Sequence, residues 1–212
     1  MVKTIKNNAG LVVMLVCMLF FRTAIADWSP VPSSSMEPTI YPGDVLLVNK
    51  TILGPAVPFT RSRLFDLAQP QRGDIITFIP PHTNQTYVKR VIGIPGDRIR
   101  TEGLRVFVNG EALPLVVTDS GRASGLLQGR ETIAGRAHGI QVDLRRDMPQ
   151  LDSEVTLPEH AYFVMGDFRN NSRDSREWGF VSEDKIFGTA TRLAVSIADQ
   201  RELLDSMGER LQ

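Results

Sequence analysis

The chain has 212 residues, and its 24 lysines and arginines balance 24 aspartates and glutamates, so the formal net charge is zero with histidines neutral. That length suits one sizeable domain or a core with a small excursion, and the balanced charge removes the electrostatic case for nucleic acid as a partner. Cys17 is the single cysteine, and His82, His138 and His160 show no ligand spacing, so neither an internal disulfide nor a cysteine- or histidine-built metal site is expected, and no cofactor.

In chain order the first feature is Ala9 to Phe21, an uncharged apolar run preceded by Lys3 and Lys6 and followed by Arg22. It falls short of the roughly 20 residues a spanning helix prefers and suits the core of a signal peptide, for which Ala24-Ile25-Ala26 supplies a cleavage pattern. Extended from Ala9 to Ala26, the same run reaches about 27 Å as a helix, with Arg22 snorkelling to the headgroups. Both readings leave the N-terminus inside and carry the rest across the membrane, because the lysines precede the apolar run.

Beyond the serine-rich stretch at 32–39 come short β-branched or alternating runs closed by turn residues. Asp44-Val45-Leu46-Leu47-Val48 follows Pro42-Gly43, and Asp74-Ile75-Ile76-Thr77-Phe78-Ile79 follows Gly73. Thr86 to Ile94 ends at Pro95-Gly96-Asp97, and Leu104 to Val108 meets the hairpin signal Asn109-Gly110 before Ala112 to Val117. The polar stretch from Asp119 to Arg136, with Gly121, Gly125, Gly129 and Gly135, predicts a mobile loop. Ile140 to Leu144, Tyr162 to Met165 and Ala190 to Ile197 read as strands, and Ala198 to Leu211 as a short helix with Leu203, Leu204 and Met207 on one side. The expectation is a mainly β, antiparallel sandwich or barrel-like domain. Its organisation is a membrane anchor or signal-like segment at 1–26, an extracytoplasmic β domain at 27–197 with a smaller insertion at about 103–160, and a C-terminal helix at 198–212.

Three segments hold residues that chemistry can use. Pro32-Ser33-Ser34-Ser35-Met36-Glu37-Pro38-Thr39 sits just past the apolar run; such a cluster is ordinarily a turn or linker, yet it is also where a membrane-bound hydrolase would keep its nucleophile. A serine needs a base, and no histidine lies in a triad-like setting: His82 follows Pro80-Pro81 and His160 precedes a strand, both surface contexts. Lysine can replace histidine if it is neutral. Lys89 lies in the mostly apolar Thr86-Tyr87-Val88-Lys89-Arg90-Val91-Ile92 strand, and burial there lowers its pKa from about 10.4; an edge-strand lysine would stay charged. The third segment, Tyr162 to Arg176, runs from a strand through Gly166 into a polar loop whose Asp167, Arg169, Asp174 and Arg176 suit an ion-pair network, with Ser172 placed to hydrogen-bond a lysine.

Taken in this order, the serine cluster, the run Tyr87-Val88-Lys89-Arg90-Val91-Ile92-Gly93-Ile94-Pro95-Gly96-Asp97 and the loop Met165-Gly166-Asp167 through Arg176 with Trp178-Gly179-Phe180-Val181 resemble the three boxes of bacterial type I signal peptidases, as does the Arg72-Gly73-Asp74 turn. The resemblance implies a signal-peptidase-like antiparallel β domain, related to the C-terminal domains of self-cleaving repressors, with one N-terminal transmembrane helix and a short C-terminal helix. It implies a Ser/Lys endopeptidase that removes signal peptides from exported preproteins after Ala-x-Ala, anchored in the inner membrane lipid with its N-terminus cytoplasmic and its catalytic domain periplasmic. Ser35 would be the nucleophile and Lys89 the general base; Ser33 would help form the oxyanion hole and Ser172 would hold the Lys89 amine. Asp167, Arg169, Asp174 and Arg176 would support the site, and Val31, Pro32, Met36, Ile40, Tyr87 and Val88 would line small apolar pockets. Ser34, Phe168 and Ser29 stand where the family commonly has glycine, asparagine and an aromatic. A relative dedicated to one substrate, such as a pilin of a conjugation or secretion system, fits the same boxes. A self-cleaving regulator would need a DNA-binding domain where the apolar run lies, and a silent binding module would need Ser35 and Lys89 to lie apart.

Overall fold

The structure, a computed structural model, describes residues 9–14, 18, 26–50, 54, 68–121, 124–151 and 153–196. Residues 9–14 and 18 are helical, with Leu11, Val13, Met14 and Met18 exposed. No helix among the described residues is long and apolar enough to cross a membrane. The helix expected over 198–212 lies outside the described residues, as do Arg22, Ala24 and Ile25.

From Ala26 onward the chain is mainly β. Its strands are β1 (Ala26–Pro30), β2 (Val45–Asn49), β3 (Ile75–Phe78), β4 (Tyr87–Gly93) and β5 (Arg98–Glu102). Next are β6 (Arg105–Val108), β7 (Glu111–Ala112), β8 (Leu115–Asp119), β9 (Leu126–Ile133) and β10 (Arg136–Asp143). Last come β11 (Val155–Thr156), β12 (Ala161–Met165), β13 (Val181–Ser182) and β14 (Ile186–Val195), with one short helix, α1 (Ser175–Trp178), between β12 and β13. Seven strands form the main sheet in the order β1-β2-β14-β3-β4-β12-β13; four form β11-β5-β6-β7 and three form β10-β9-β8. All the strand pairings are antiparallel.

The hairpin signal acts as expected: Asn109 and Gly110 both take positive φ, 55° and 88°, the combination a two-residue turn between twisted strands requires. Two expectations are corrected. The stretch from Asp119 to Arg136 is not a loop: it holds the end of β8, all of β9 and the turn into β10. Its inward positions are Gly129, Glu131 and Ile133, with Gln128 and Arg130 exposed between them, so the alternation exists but is not hydrophobic. The single strand expected over Ala112 to Val117 is instead the end of β7 and the start of β8, which belong to different sheets and break at Pro114, a residue with no N–H for a ladder.

Strand β4 sits between β3 and β12 and is buried along nearly its whole length. Its residues feed three apolar clusters. Val88 joins Val31, Met36, Ile40 and Leu46 under the serine segment. Val91 joins Ile76, Phe78, Tyr162 and Val164. Ile92 joins Ile99, Val106, Ile133, Phe163 and Met165, the cluster that ties the main sheet to the two smaller ones. Fully burying each such side chain stabilises the fold by about 1.5–3 kcal/mol. Phe163 is fully buried in that joint cluster, so Phe163→Ala is expected to cost about 3–5 kcal/mol in urea unfolding; a change under about 1 kcal/mol would mean the smaller sheets do not share this core.

Candidate active site

The serine segment takes its shape from a short turn and the core beneath it. Ser33 is extended, at φ −132° and ψ 154°, and Ser34–Met36 turn into a 3-10 helix. The turn is closed by Glu37 N–H on Ser34 O and by Thr39 and Ile40 N–H on Met36 O, each at 3.0 Å. Met36 and Ile40 plug into the core below. This anchors Ser35 with 8% of its surface exposed. The Ser35 carbonyl accepts from Phe168 N at 3.2 Å, which seats the turn on the polar loop.

Lys89 projects from the middle of β4, 3% exposed. Its Nζ lies 2.6 Å from Ser35 Oγ and donates to Val88 O at 3.0 Å. Fifty-four positions of chain separate the two residues. Burial is the main effect on the amine and brings it from 10.5 down to about 8; Asp174 and Asp167 pull it up and Arg176 pulls it down. Ser33 Oγ lies 3.3 Å from Ser35 Oγ. Ser172 Oγ is buried and makes no hydrogen bond among the described residues, so the bond expected between it and Lys89 is not formed in this state. Ser172 instead packs at Gly166, where a Cβ would collide with both Ser172 Oγ and Ser35 O. Position 166 has room for glycine alone because three segments converge on it.

The four charged loop residues are all buried, but they do not form one local network. Asp174 and Arg176 do pair locally, through Nε at 2.8 Å and Nη2 at 2.7 Å, and Asp174 also caps α1 and accepts from Gly166 N at 3.0 Å. Asp167 reaches to β4 and accepts from Arg90 Nε at 2.9 Å and Nη2 at 2.8 Å, with Thr39 Oγ1 donating at 2.5 Å. Arg169 reaches to β9 and pairs two-pronged with Glu131. His138, also buried, lies 3.5 Å from Glu131 and 3.9 Å from Asp167. Burial alone would raise both carboxyls, but Arg169 and His138 hold Glu131 down at about 2, and Arg90, His138 and the Thr39 hydroxyl lower Asp167. Arg90, Glu131, Thr39 and His138 were not among the expected site residues; no local pattern marks a charge whose partner is 38 or 77 positions away.

Beside Ser35 and Lys89 opens a cleft of about 290 Å³. Val31, Pro32, Met36, Tyr87 and Val88 line it, together with Gln85, Asn171 and Arg173. Ile40 does not: it is fully buried beneath, in the core that supports the turn. The Ser34 hydroxyl accepts from Asn171 Nδ2 at 2.8 Å while Arg146 donates to Asn171 Oδ1 at 2.5 Å.

A serine hydroxyl against a buried amine, at the edge of an apolar cleft in a mainly β protein, is the furniture of a serine peptidase. The chain belongs to the signal peptidase family: the profile described as signal peptidase, peptidase S26, matches residues 4–194. It is 35% identical over 202 residues to a signal peptidase I of Pseudomonas aeruginosa, covering 89% of this chain and 71% of that protein. It is 34% identical over 191 residues to a signal peptidase I of Pseudomonas fluorescens, covering 84% and 67%. A crystal structure of a signal peptidase I from Enterococcus faecalis is 29% identical and covers 59% of this chain and 100% of the solved one, with a TM-score of 0.41.

The Glu131 carboxyl, ordinarily near 4.5 and held at about 2 when folded, contributes stability that is full above pH 4.5 and lost as pH falls towards 2. The urea midpoint is therefore expected to drop across that window and Glu131→Gln to flatten the drop while lowering stability at neutral pH by about 3–5 kcal/mol, because it leaves Arg169 buried and unpaired. An unchanged acid limb in the variant would show that this pair does not govern acid unfolding.

Proposed function

We propose that this protein is a membrane-anchored endopeptidase that removes signal peptides from exported preproteins after small residues of the Ala-x-Ala type, with Ser35 as nucleophile and neutral Lys89 as general base. The observation that carries the reading is the 2.6 Å contact between Lys89 Nζ and Ser35 Oγ in a buried setting that brings the amine to about 8. Below that pH the ammonium donates to Ser35; above it the free amine accepts the Ser35 proton and the hydroxyl becomes a competent nucleophile.

Ser35 Oγ attacks the scissile carbonyl as Lys89 takes its proton, giving a tetrahedral intermediate. The oxyanion is met by the Ser33 hydroxyl, 3.3 Å from Ser35 Oγ, and by the Ser35 N–H at the start of a helical turn, where backbone donors have no partner within the turn. Collapse expels the amine of the mature protein, which takes its proton from the Lys89 ammonium, and leaves an acyl-enzyme. A water deprotonated by Lys89 then hydrolyses the ester and regenerates Ser35. Ser172 orients the Lys89 amine during these transfers; its buried hydroxyl, which makes no hydrogen bond among the described residues, supports that role. The preference for small residues follows from the size of a cleft walled by Val31, Pro32, Met36 and Val88.

The segment 1–26 serves as the anchor in the cytoplasmic membrane and the β domain faces the extracytoplasmic side. Trp28, 66% exposed in the middle of β1, suits a ring at the lipid headgroups. Retention of the segment is supported by the place of the Ala26–Asp27 bond inside β1, opposite Asn49 and Val48, with Asp27 paired to Lys50 at 2.9 Å. A peptidase needs an extended, unpaired segment in its cleft, and this one is committed to the sheet.

In detergent, kcat/KM for a preprotein with an Ala-x-Ala site is expected to rise about tenfold per pH unit below about 8 and to level above it, as the Lys89 amine loses its proton. Ser35→Ala and Lys89→Ala are expected to abolish turnover. A rate flat from about pH 5 to 9, or turnover in either variant, would sink the dyad. N-terminal sequencing of the purified protein is expected to show no chain beginning at Asp27; such a chain would overturn the anchor.

A further inference from the structure

Arg173 is a wall of the cleft that the chemistry above leaves unused. It lies on the loop between β12 and α1, lines the cleft, and keeps its side chain 69% exposed, with Nε donating to Glu177 Oε2 at 3.2 Å on the outer side. Among the described residues lining the cleft there are two cations, Lys89 and Arg173, and no carboxylate. Lys89 is buried and works as a neutral amine, so the standing charge a bound peptide meets is that of Arg173. A cleft of about 290 Å³ holds only a few side chains, which puts Arg173 within a few residues of the bond that Ser35 attacks. The charges that act on the Lys89 amine are those of Asp174, Asp167 and Arg176, so Arg173 bears on the substrate rather than on the base. Its exposed pair with Glu177 is the weak kind that a substrate carboxylate displaces at little cost.

We propose that Arg173 is a specificity-determining residue: it favours preproteins carrying an aspartate or glutamate beside the scissile bond and disfavours lysine or arginine at the same place. The inference rests on the reading of this cleft as the substrate site of a Ser35–Lys89 peptidase.

The test uses the full chain in neutral detergent and one Ala-x-Ala preprotein prepared with Asp, Ala or Lys at each position flanking the scissile bond. At one or two of those positions kcat/KM is expected to be about 2- to 5-fold higher for Asp than for Ala and lower by a similar factor for Lys, with the difference carried by KM. R173E inverts the order, R173Q erases it, and E177Q, which frees the guanidinium, widens it. About 1 M salt erases it in the wild type, because an exposed charge is screened at that ionic strength. The pH midpoint stays near 8 in every variant, as Lys89 is untouched. A wild type that cleaves the Ala form with no charge preference, or a preference that R173E leaves in place, overturns this inference alone. Failure of the wild type to cleave any form overturns the peptidase reading and this inference with it.

Discussion

An ammonium group withdrawn from water is stabilised by any carboxylate within reach, and that stabilisation works against the loss of its proton near neutral pH. Lys89 stands close enough to Asp167 and Asp174 for both to pull its pKa upward, yet burial prevails and leaves the amine at about 8. The reason lies in where those carboxylates are already committed. Asp167 is held two-pronged by Arg90 and Asp174 by Arg176, so each presents Lys89 with a largely neutralised pair. The direct partners of the amine are then a hydroxyl and a carbonyl, Ser35 Oγ and Val88 O, neither of which carries charge. Buried guanidinium–carboxylate pairs around the lysine are what let one strand hold an amine that burial brings down to about 8.

Well-packed apolar residues of similar volume could replace such pairs at little cost in stability, although removing one partner alone leaves a buried charge unpaired. Their value is positional. Arg90 on β4 holds Asp167 in the loop, Asp167 also takes Thr39 beyond the serine turn, and Arg169 in the same loop holds Glu131 on β9. Backbone bonds run alongside: Phe168 N to Ser35 O, Gln141 N to Asp167 O and Arg169 N to Gln141 O. Asn170 adds both ends of its amide to β10, through Asp143. The serine turn, β4, the β9–β10 hairpin and the polar loop are thereby held to one geometry around Gly166, where no larger residue fits. Phe168 acts here through its backbone N–H and a buried ring.

How much of the fold and site is legible in the sequence depends on whether the signal is local. The strands β2, β3, β4 and β12 announce themselves as apolar runs between turn residues, since they are buried on one or both faces and use β-branched side chains. Asn109-Gly110 marks its hairpin because that turn needs two positive φ values and few residue types adopt them. Strand β9 hid because its inward positions are Gly129, Glu131 and Ile133, and a buried Glu131 is legible only when Arg169 is seen opposite. Ile40 lies beneath the cleft rather than in it for a related reason: an apolar residue next to the serine turn can face the cleft or the core, and only the packing beneath the turn decides.

By itself the sequence determined the chemistry available: a serine cluster past an apolar run, a lysine in an apolar strand, and a glycine opening a charged loop, in an order that marks the family. Those are properties of residue type and spacing along one chain. The tertiary structure decided which atoms meet. It set Lys89 Nζ at 2.6 Å from Ser35 Oγ and left Ser172 Oγ without a hydrogen bond among the described residues. It also matched Asp167 to Arg90 and Arg169 to Glu131, and turned Arg173 onto the cleft. Contacts between residues dozens of positions apart depend on sheet order and on the burial that sheet order brings, and neither is written in any local stretch of the chain.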